Sequence, residues 1–206
     1  MKRATVYLQD MADIAARKHE KPISYESFRG QLKLRGQSRR PEELFRRAVV
    51  AAVWAYAPYS NFAVGAAVET VDGRIFTGAN MENASYGLTV CAEVGALQAA
   101  ANAGALDRVA RIAIVGGTMA QPGKRTAKVV TPCGRCRQLI QESAELSGRR
   151  IEVWCANLAL TDFLRRPIAK LLPNSFRPAS LGVKKDWDKV AAEFRRKMAR
   201  RGFAGN

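Results

Sequence analysis

The chain has 206 residues, a formal net charge of +16, 48% hydrophobic and 25% charged residues, which suits one soluble domain with a sizeable core and short appendages. The longest uncharged run, Ala48 to Val68, is broken by the turn-like cluster Pro58-Tyr59-Ser60-Asn61, so a membrane span is excluded there, and the polar start through Asp10, Asp13 and Glu20 shows no secretory hydrophobic region. Four cysteines, two of them in a Cys-x-x-Cys pair, do not read as a disulfide framework in a chain of this size, and a reducing cytoplasm is expected.

Residues 1–40 read as a basic N-terminal extension, with a short helix over Met1 to Lys18, interruptions at Pro22 and Gly30, and a basic linker to Arg40. Pro41-Glu42-Glu43 is a helix start, with proline early and acids in the first turn. That helix is expected to run to about Ala57, burying Leu44, Val49, Val50, Val53 and Trp54. Strands over Ala63 to Thr70 and Arg74 to Gly78 flank Val71-Asp72-Gly73, a hairpin signal. Asn80 to Leu88 is a polar loop, and a helix follows from near Cys91 to Ala103-Gly104. Ile112 to Val115 is a buried strand. After a loop from Met119 to Lys128 come a short strand, Val129-Val130, and a helix starting at Pro132/Cys133. Ile151 to Ala156 is a further strand, Thr161 to Leu172 is helical at least in part, and Asp186 to Arg201 is a basic amphipathic helix. Strands alternating with helices predict an α/β fold, a three-layer α/β/α sandwich around a mixed central sheet. The domain is placed at 41–182, with 183–206 as a basic C-terminal helical extension.

The charge is uneven. Residues 1–47 carry 12 Lys/Arg against 6 Asp/Glu, and residues 182–206 carry 8 against 3, so the two ends hold 11 of the 16 excess charges. Such a balance promotes weak contact with nucleic acid or another polyanion through the ends, although no nucleic-acid motif accompanies it.

Two short stretches carry the chemistry: Cys91-Ala92-Glu93, and Pro132-Cys133-Gly134-Arg135-Cys136. Cys91, Cys133 and Cys136 supply three thiolates for one zinc ion, and three protein ligands leave a fourth position for water, as in catalytic sites. Cys91 and Cys133 each fall near a helix start, where free N–H groups and the positive dipole end favour a thiolate. Glu93, in the first turn, is placed to move protons beside the metal. Three thiolates exceed the charge of one zinc dication, so positive charge is wanted nearby, and Arg135 and Arg137 are the nearest candidates. The one histidine, His19, lies in the extension and is no ligand. Cys155, in the apolar stretch Val153 to Ala156, reads as core.

With these motifs in place, the chain resembles the homotetrameric, three-cysteine zinc cytidine deaminases over about residues 42–182. The resemblance rests on Ala57-Pro58-Tyr59-Ser60-Asn61-Phe62-Ala63-Val64-Gly65, Asp72-Gly73-Arg74-Ile75-Phe76-Thr77-Gly78, Asn80-Met81-Glu82-Asn83-Ala84-Ser85-Tyr86-Gly87, the two zinc stretches and Leu171-Leu172-Pro173-Asn174-Ser175-Phe176. It implies a cytoplasmic homotetramer, with one Zn2+ per subunit, that hydrolyses cytidine and 2′-deoxycytidine to the uridines and ammonia in pyrimidine salvage. It also implies roles by position. Glu93 protonates N3 and then the leaving amine, Asn80 and Glu82 bind the ribose 3′-hydroxyl, and Phe62 lies beside the base. Thr131 and the Ala92 backbone meet the base edges, while Tyr86 and Phe176 complete a neighbouring subunit's pocket. No membrane partner is implied.

One position departs from the pattern: many members have arginine after Cys-Ala-Glu to offset thiolate charge, and here Val94 stands there. Val94-Gly95-Ala96 is also somewhat similar to blasticidin S deaminase, so a modified cytosine nucleoside is an alternative substrate. A polynucleotide cytosine deaminase is a weaker one, because relatives acting on strands typically use histidine as first ligand. A non-enzymatic, zinc-stabilised binding protein is a further alternative that the intact Glu93 argues against.

Overall fold

The computed structural model describes residues 41–120, 128–182 and 187–203, apart from the side chain of residue 188. The expectations for the N-terminal helix, the basic linker, His19 and most of the 119–128 loop fall outside these residues.

A period of two along the central strands sorts side chains to two faces of one sheet. In β1 (Phe62–Thr70), Ala63 and Ala67 join one core, while Ala66 and Val68 join the other. The same alternation divides Ala113 and Val115 from Ile112 and Ile114 in β3 (Val109–Thr118), and Trp154 and Ala156 from Val153 and Cys155 in β4 (Glu152–Asn157). Each face needs its own cover. One is covered by α1 (Pro41–Ala52) through Leu44, Phe45, Ala48 and Ala52. The other is covered by α2 (Ala92–Asn102) through Ala92, Ala96, Leu97 and Ala100, and by α3 (Gly134–Ser147) through Ile140 and Ala144. This is the expected three-layer sandwich.

The sheet has five strands in the order β2-β1-β3-β4-β5, with β2 at Ile75–Ala79 and β5 at Phe163–Pro167. β1 pairs antiparallel with β2 and β3, β3 pairs parallel with β4, and β4 pairs antiparallel with β5. The sheet is therefore mixed, and its parallel pair is joined through α3, as a parallel connection requires. The β1–β2 turn is the hairpin expected at Asp72-Gly73. Gly73 adopts φ 83°, and the turn is closed by Gly73 N–H to Thr70 O at 2.9 Å.

Two glycines set how closely the helical layers approach. A Cβ on Gly65 would lie 2.0 Å from the Ala48 carbonyl oxygen, so α1 rests on bare strand backbone. A Cβ on Gly78 would lie 2.4 Å from both the Ala92 carbonyl oxygen and the Ala96 nitrogen. That second contact seats the start of α2 against β2.

Four expectations are corrected. α1 ends at Ala52 instead of Ala57, and its buried face is Pro41, Leu44, Phe45, Ala48, Ala51 and Ala52. Val53 and Trp54 lie past its end, and Trp54 is 80% exposed. Val50 is exposed and Val49 only partly buried, because small residues fill the close α1–sheet interface. The stretch Thr161 to Leu172 is helical in part, as expected, in α4 (Ile168–Leu171), and before that helix it forms strand β5. Val129-Val130 forms no strand: Val130 N–H makes one long 3.5 Å bond to Ala156 O, too little for a ladder. The Ile112–Val115 strand is longer than expected, from Val109 to Thr118.

A break in packing falls between Ser175 and Phe176. The unit beyond it contains the short turn Pro178–Leu181 and α5 (Trp187–Ala199). Among the described residues no helix is long and apolar enough to cross a membrane.

Candidate active site

The expected ligands meet. Cys91 is the N-cap of α2, Cys133 is the N-cap of α3, and Cys136 lies one turn into α3. Both caps have extended backbone (ψ 152° and 169°) and no side-chain capping bond, so their sulfurs are left to the site. The Cys91 and Cys133 sulfurs are 3.9 Å apart, and all three sulfurs lie within 4.8 Å of one another. Thiolates at about 2.3 Å from a tetrahedral zinc stand roughly 3.8 Å apart, whereas a disulfide would bring them to about 2.05 Å. The spacing fits a shared ion and not a covalent bridge, and all four cysteines are free. This is the one cluster of potential metal ligands among the described residues. Cys155, buried in the core, lies outside it.

The electrostatics point the same way. Burial raises the Cys91 thiol pKa, with the neighbouring Cys133 and Glu93 charges adding to it. Burial likewise pushes Cys136 well up, again reinforced by Glu93 and Cys91. Cys133 alone stands below the ordinary thiol value: burial opposes this, but hydrogen bonds from the Cys136 backbone N–H and from the Cys136 and Cys91 thiols prevail. Without a cation the cluster cannot carry three negative charges; a divalent soft-ligand metal removes that conflict.

Glu93 is 4% exposed, in the first turn of α2. Burial raises its pKa above the usual carboxylate range, against hydrogen bonds from its own backbone N–H and the Cys136 thiol. A buried carboxyl touching a ligand sulfur is placed to take up and return a proton.

The two arginines of the second cysteine stretch go to different loops. Arg135 Nη1 donates to Thr89 O at 3.3 Å, two residues before Cys91. Arg137 donates from Nε to Pro132 O at 2.8 Å, from Nη1 to Leu171 O at 3.0 Å and from Nη2 to Thr131 Oγ1 at 3.5 Å. Each therefore binds a segment that leads into a ligand, and Arg137 also ties in the end of α4.

A cavity of about 420 Å³ is lined by Tyr59, Ser60, Glu82, Tyr86 and Thr89. Glu82 Oε2 accepts from the backbone N–H groups of Tyr59 and Ser60 at 2.9 and 3.2 Å. Its pKa is lowered chiefly by the Ser60 side chain. Tyr86 meets Tyr59 edge to face at 5.9 Å. Asn80 is committed to the scaffold: its Oδ1 accepts from Val64 N–H at 2.8 Å and its Nδ2 donates to Phe62 O at 2.9 Å. One amide hydrogen remains for another acceptor. Phe62 opens β1 with its ring beside Gly116, where an added Cβ would stand 3.1 Å from a ring carbon. Ala92 is buried as the first residue of α2, Thr131 is exposed, and Phe176 is an exposed residue of the C-terminal unit. Tyr59, Ser60 and Thr89 were not singled out from sequence. The Pro58-to-Asn61 cluster signalled a turn, and only the fold shows that this turn's N–H groups cradle Glu82.

Comparison with known proteins gives a consistent result. The sequence model of the cytidine and deoxycytidylate deaminase zinc-binding region matches residues 38–147. A cytidine deaminase of Halalkalibacterium halodurans is 44% identical over 133 residues, 65% of this chain and 91% of that protein. The crystal structure of a cytidine deaminase from Burkholderia pseudomallei superposes with a TM-score of 0.57 at 42% identity, covering 66% of this chain and 98% of the other. That of a Mycobacterium tuberculosis cytidine deaminase gives 0.53 at 37% identity, covering 68% and 98%.

Proposed function

The chain belongs to the cytidine and deoxycytidylate deaminase zinc-binding family, and we propose from that premise how its own residues carry out the deamination of cytidine. The overall reaction is cytidine plus water to uridine plus ammonia, with 2′-deoxycytidine treated alike. Cytidine, and not a modified cytosine nucleoside, is the substrate its relatives support. The observation that carries the reading is the buried Glu93 beside a cluster of three cysteine sulfurs spaced for one ion.

Cys91, Cys133 and Cys136 hold the zinc, which when bound supplies the Lewis acidity that makes water nucleophilic near neutral pH. Glu93 would take one proton from a water whose oxygen adds to C4 and pass it to N3, then take the proton of the new C4 hydroxyl and pass it to the amine, so that the C4–N bond breaks, ammonia leaves and the C4 carbonyl of uridine remains. Its burial suits both steps, because a raised pKa brings the carboxyl closer to the working range of an acid that must also act as base. The Ala92 backbone and the Thr131 hydroxyl meet the polar edges of the base, and Phe62 lies against its face. The backbone bonds to Glu82 both land on Oε2, and beside these and the Ser60 side chain the carboxylate keeps lone pairs to accept from the ribose 3′-hydroxyl. The remaining amide hydrogen of Asn80 donates to the same sugar. Arg135 and Arg137 offset thiolate charge and hold the ligand loops, taking the place of an arginine at position 94.

We further assign a homotetramer in which Tyr86 and Phe176 complete a neighbour's site. Trp54, Tyr86, Leu88 and Phe176 are large, exposed and apolar, an arrangement that association would cover. The test of the whole reading is the ultraviolet absorbance change of cytidine on adding zinc-loaded protein, with Glu93→Gln as control. Turnover is expected, with a loss of roughly 10²–10⁴-fold in the variant at unchanged metal content. Undiminished turnover in the variant would remove Glu93 from the mechanism. Light scattering of the purified protein checks the tetramer.

A further inference from the structure

The C-terminal helix carries a feature that deamination does not use. Along α5, Trp187, Val190, Ala191, Phe194 and Met198 recur at i, i+3, i+4, i+7 and i+11. At 3.6 residues per turn they share one stripe about 100° wide. Trp187, Val190 and Phe194 are 62%, 56% and 62% exposed, so among the described residues these members of the stripe are left largely open to solvent. Arg195 and Lys197 flank it, about 80° to either side of its centre, and Lys189 and Arg196 occupy the opposite face. Glu193 is engaged by Lys197 at 2.8 Å.

The charge decides among occupants. Residues 182–206 hold 8 Lys/Arg against 3 Asp/Glu, so a second α5 laid against this one would be repelled. Nucleic acid would satisfy the cations but would leave an aliphatic and aromatic stripe in water. An anionic bilayer surface takes both: the stripe enters the boundary between headgroups and acyl chains, and the flanking long side chains reach back to the headgroups. Thirteen residues extend about 20 Å, short of the roughly 30 Å hydrocarbon core, so the helix lies on the membrane and does not cross it.

We propose that α5 docks the protein on anionic lipid surfaces, with Trp187, Val190 and Phe194 inserted and the surrounding lysines and arginines on the headgroups. This places a lipid contact on a chain for which sequence alone implied none.

The test is sedimentation of the full, zinc-loaded protein with vesicles of phosphatidylcholine alone and of phosphatidylcholine with about 30% phosphatidylglycerol, at about 0.1 M salt. Binding to the anionic vesicles is expected to exceed binding to the neutral ones by about tenfold and to weaken at about 0.5 M salt. Val190→Ser with Phe194→Ser, and separately Arg196→Gln with Lys197→Gln, should each lower it several-fold. A blue shift of tryptophan emission on binding should vanish in Trp187→Phe. Cytidine deamination should stay unchanged throughout, because no residue of α5 has a role in the proposed reaction. No binding to anionic vesicles would overturn the proposal. So would equal binding to both vesicles, or binding that survives the Val190/Phe194 change while the charge change abolishes it. The last pattern is that of plain polyanion contact.

Discussion

Gly78 is the residue on which the position of Glu93 most depends. A methyl group there would stand 2.4 Å from the Ala92 carbonyl oxygen and the Ala96 nitrogen, and neither backbone group can move without shifting the first turn of α2. Gly78→Ala is expected to destabilise the fold by about 1–3 kcal/mol or more and, by tilting α2, to weaken metal retention. Thermal melting together with zinc content after dialysis checks both; an unchanged zinc content would show that Cys91 tolerates the shift. Glu152 is a second sensitive residue. Its carboxylate accepts from Arg165 Nε at 2.8 Å, with both side chains less than one-tenth exposed. Removing one partner strands the other charge, so Glu152→Ala should cost about 3–5 kcal/mol in a denaturant titration. The ion pair links β4 to β5 and includes none of the candidate site residues, so kcat should be preserved in the fraction that folds.

At the scale of elements, the two arginines that flank Cys136 decide how α3 grips its surroundings. Arg137 reaches Pro132 O, Leu171 O and Thr131 Oγ1 together, a fan that only a guanidinium can make. Arg137→Ala, and equally Arg137→Lys, should speed zinc loss to a colourimetric chelator several-fold. Retention restored by lysine would mean that charge alone matters. The elements around this grip were legible to differing degrees. The hairpin could be read because Gly73 takes a positive φ that the Asp72-Gly73 pair favours, and α2 and α3 because each runs on from a cysteine stretch whose start was marked in sequence. The end of α1 could not. Val53 and Trp54 continue its helical apolar spacing, and only the packing shows that the chain has already left the helix and left them in water. β5 was not anticipated within its partly helical stretch for a related reason. Phe163-Leu164-Arg165-Arg166-Pro167 is too short for its period to separate strand from helix, and what fixes it as a strand is the edge of β4 waiting beside it. The clustering of the three cysteines was readable from spacing; the Glu82 cradle was not, because Tyr59 and Ser60 reach it from 23 and 22 residues away in sequence.

For the molecule as a whole, a metal held by the cysteine cluster would join the starts of two helices whose first cysteines are 42 residues apart. An ion that binds only the folded chain stabilises it in proportion to the logarithm of its free concentration, about 2.7 kcal/mol at a hundred times Kd. Chelation is therefore expected to lower the melting temperature, and added zinc to raise it again in a concentration-dependent way; a melting curve indifferent to chelator would contradict this coupling. The two faces of the sheet differ in what they are asked to do. Each of the three clustered cysteines, and Glu93 with them, sits on or at the start of the helices covering one face. The core under α1 holds Leu44, Phe45, Ala48, Trp154 and Phe163 with small strand residues, and none of the candidate site. Natural selection, or a laboratory campaign for heat resistance, thus has a reservoir in the α1 layer where substitutions can accumulate without touching the chemistry. The usual trade between robustness and activity should be weakest there and sharpest within one helical turn of Cys91 and Cys133.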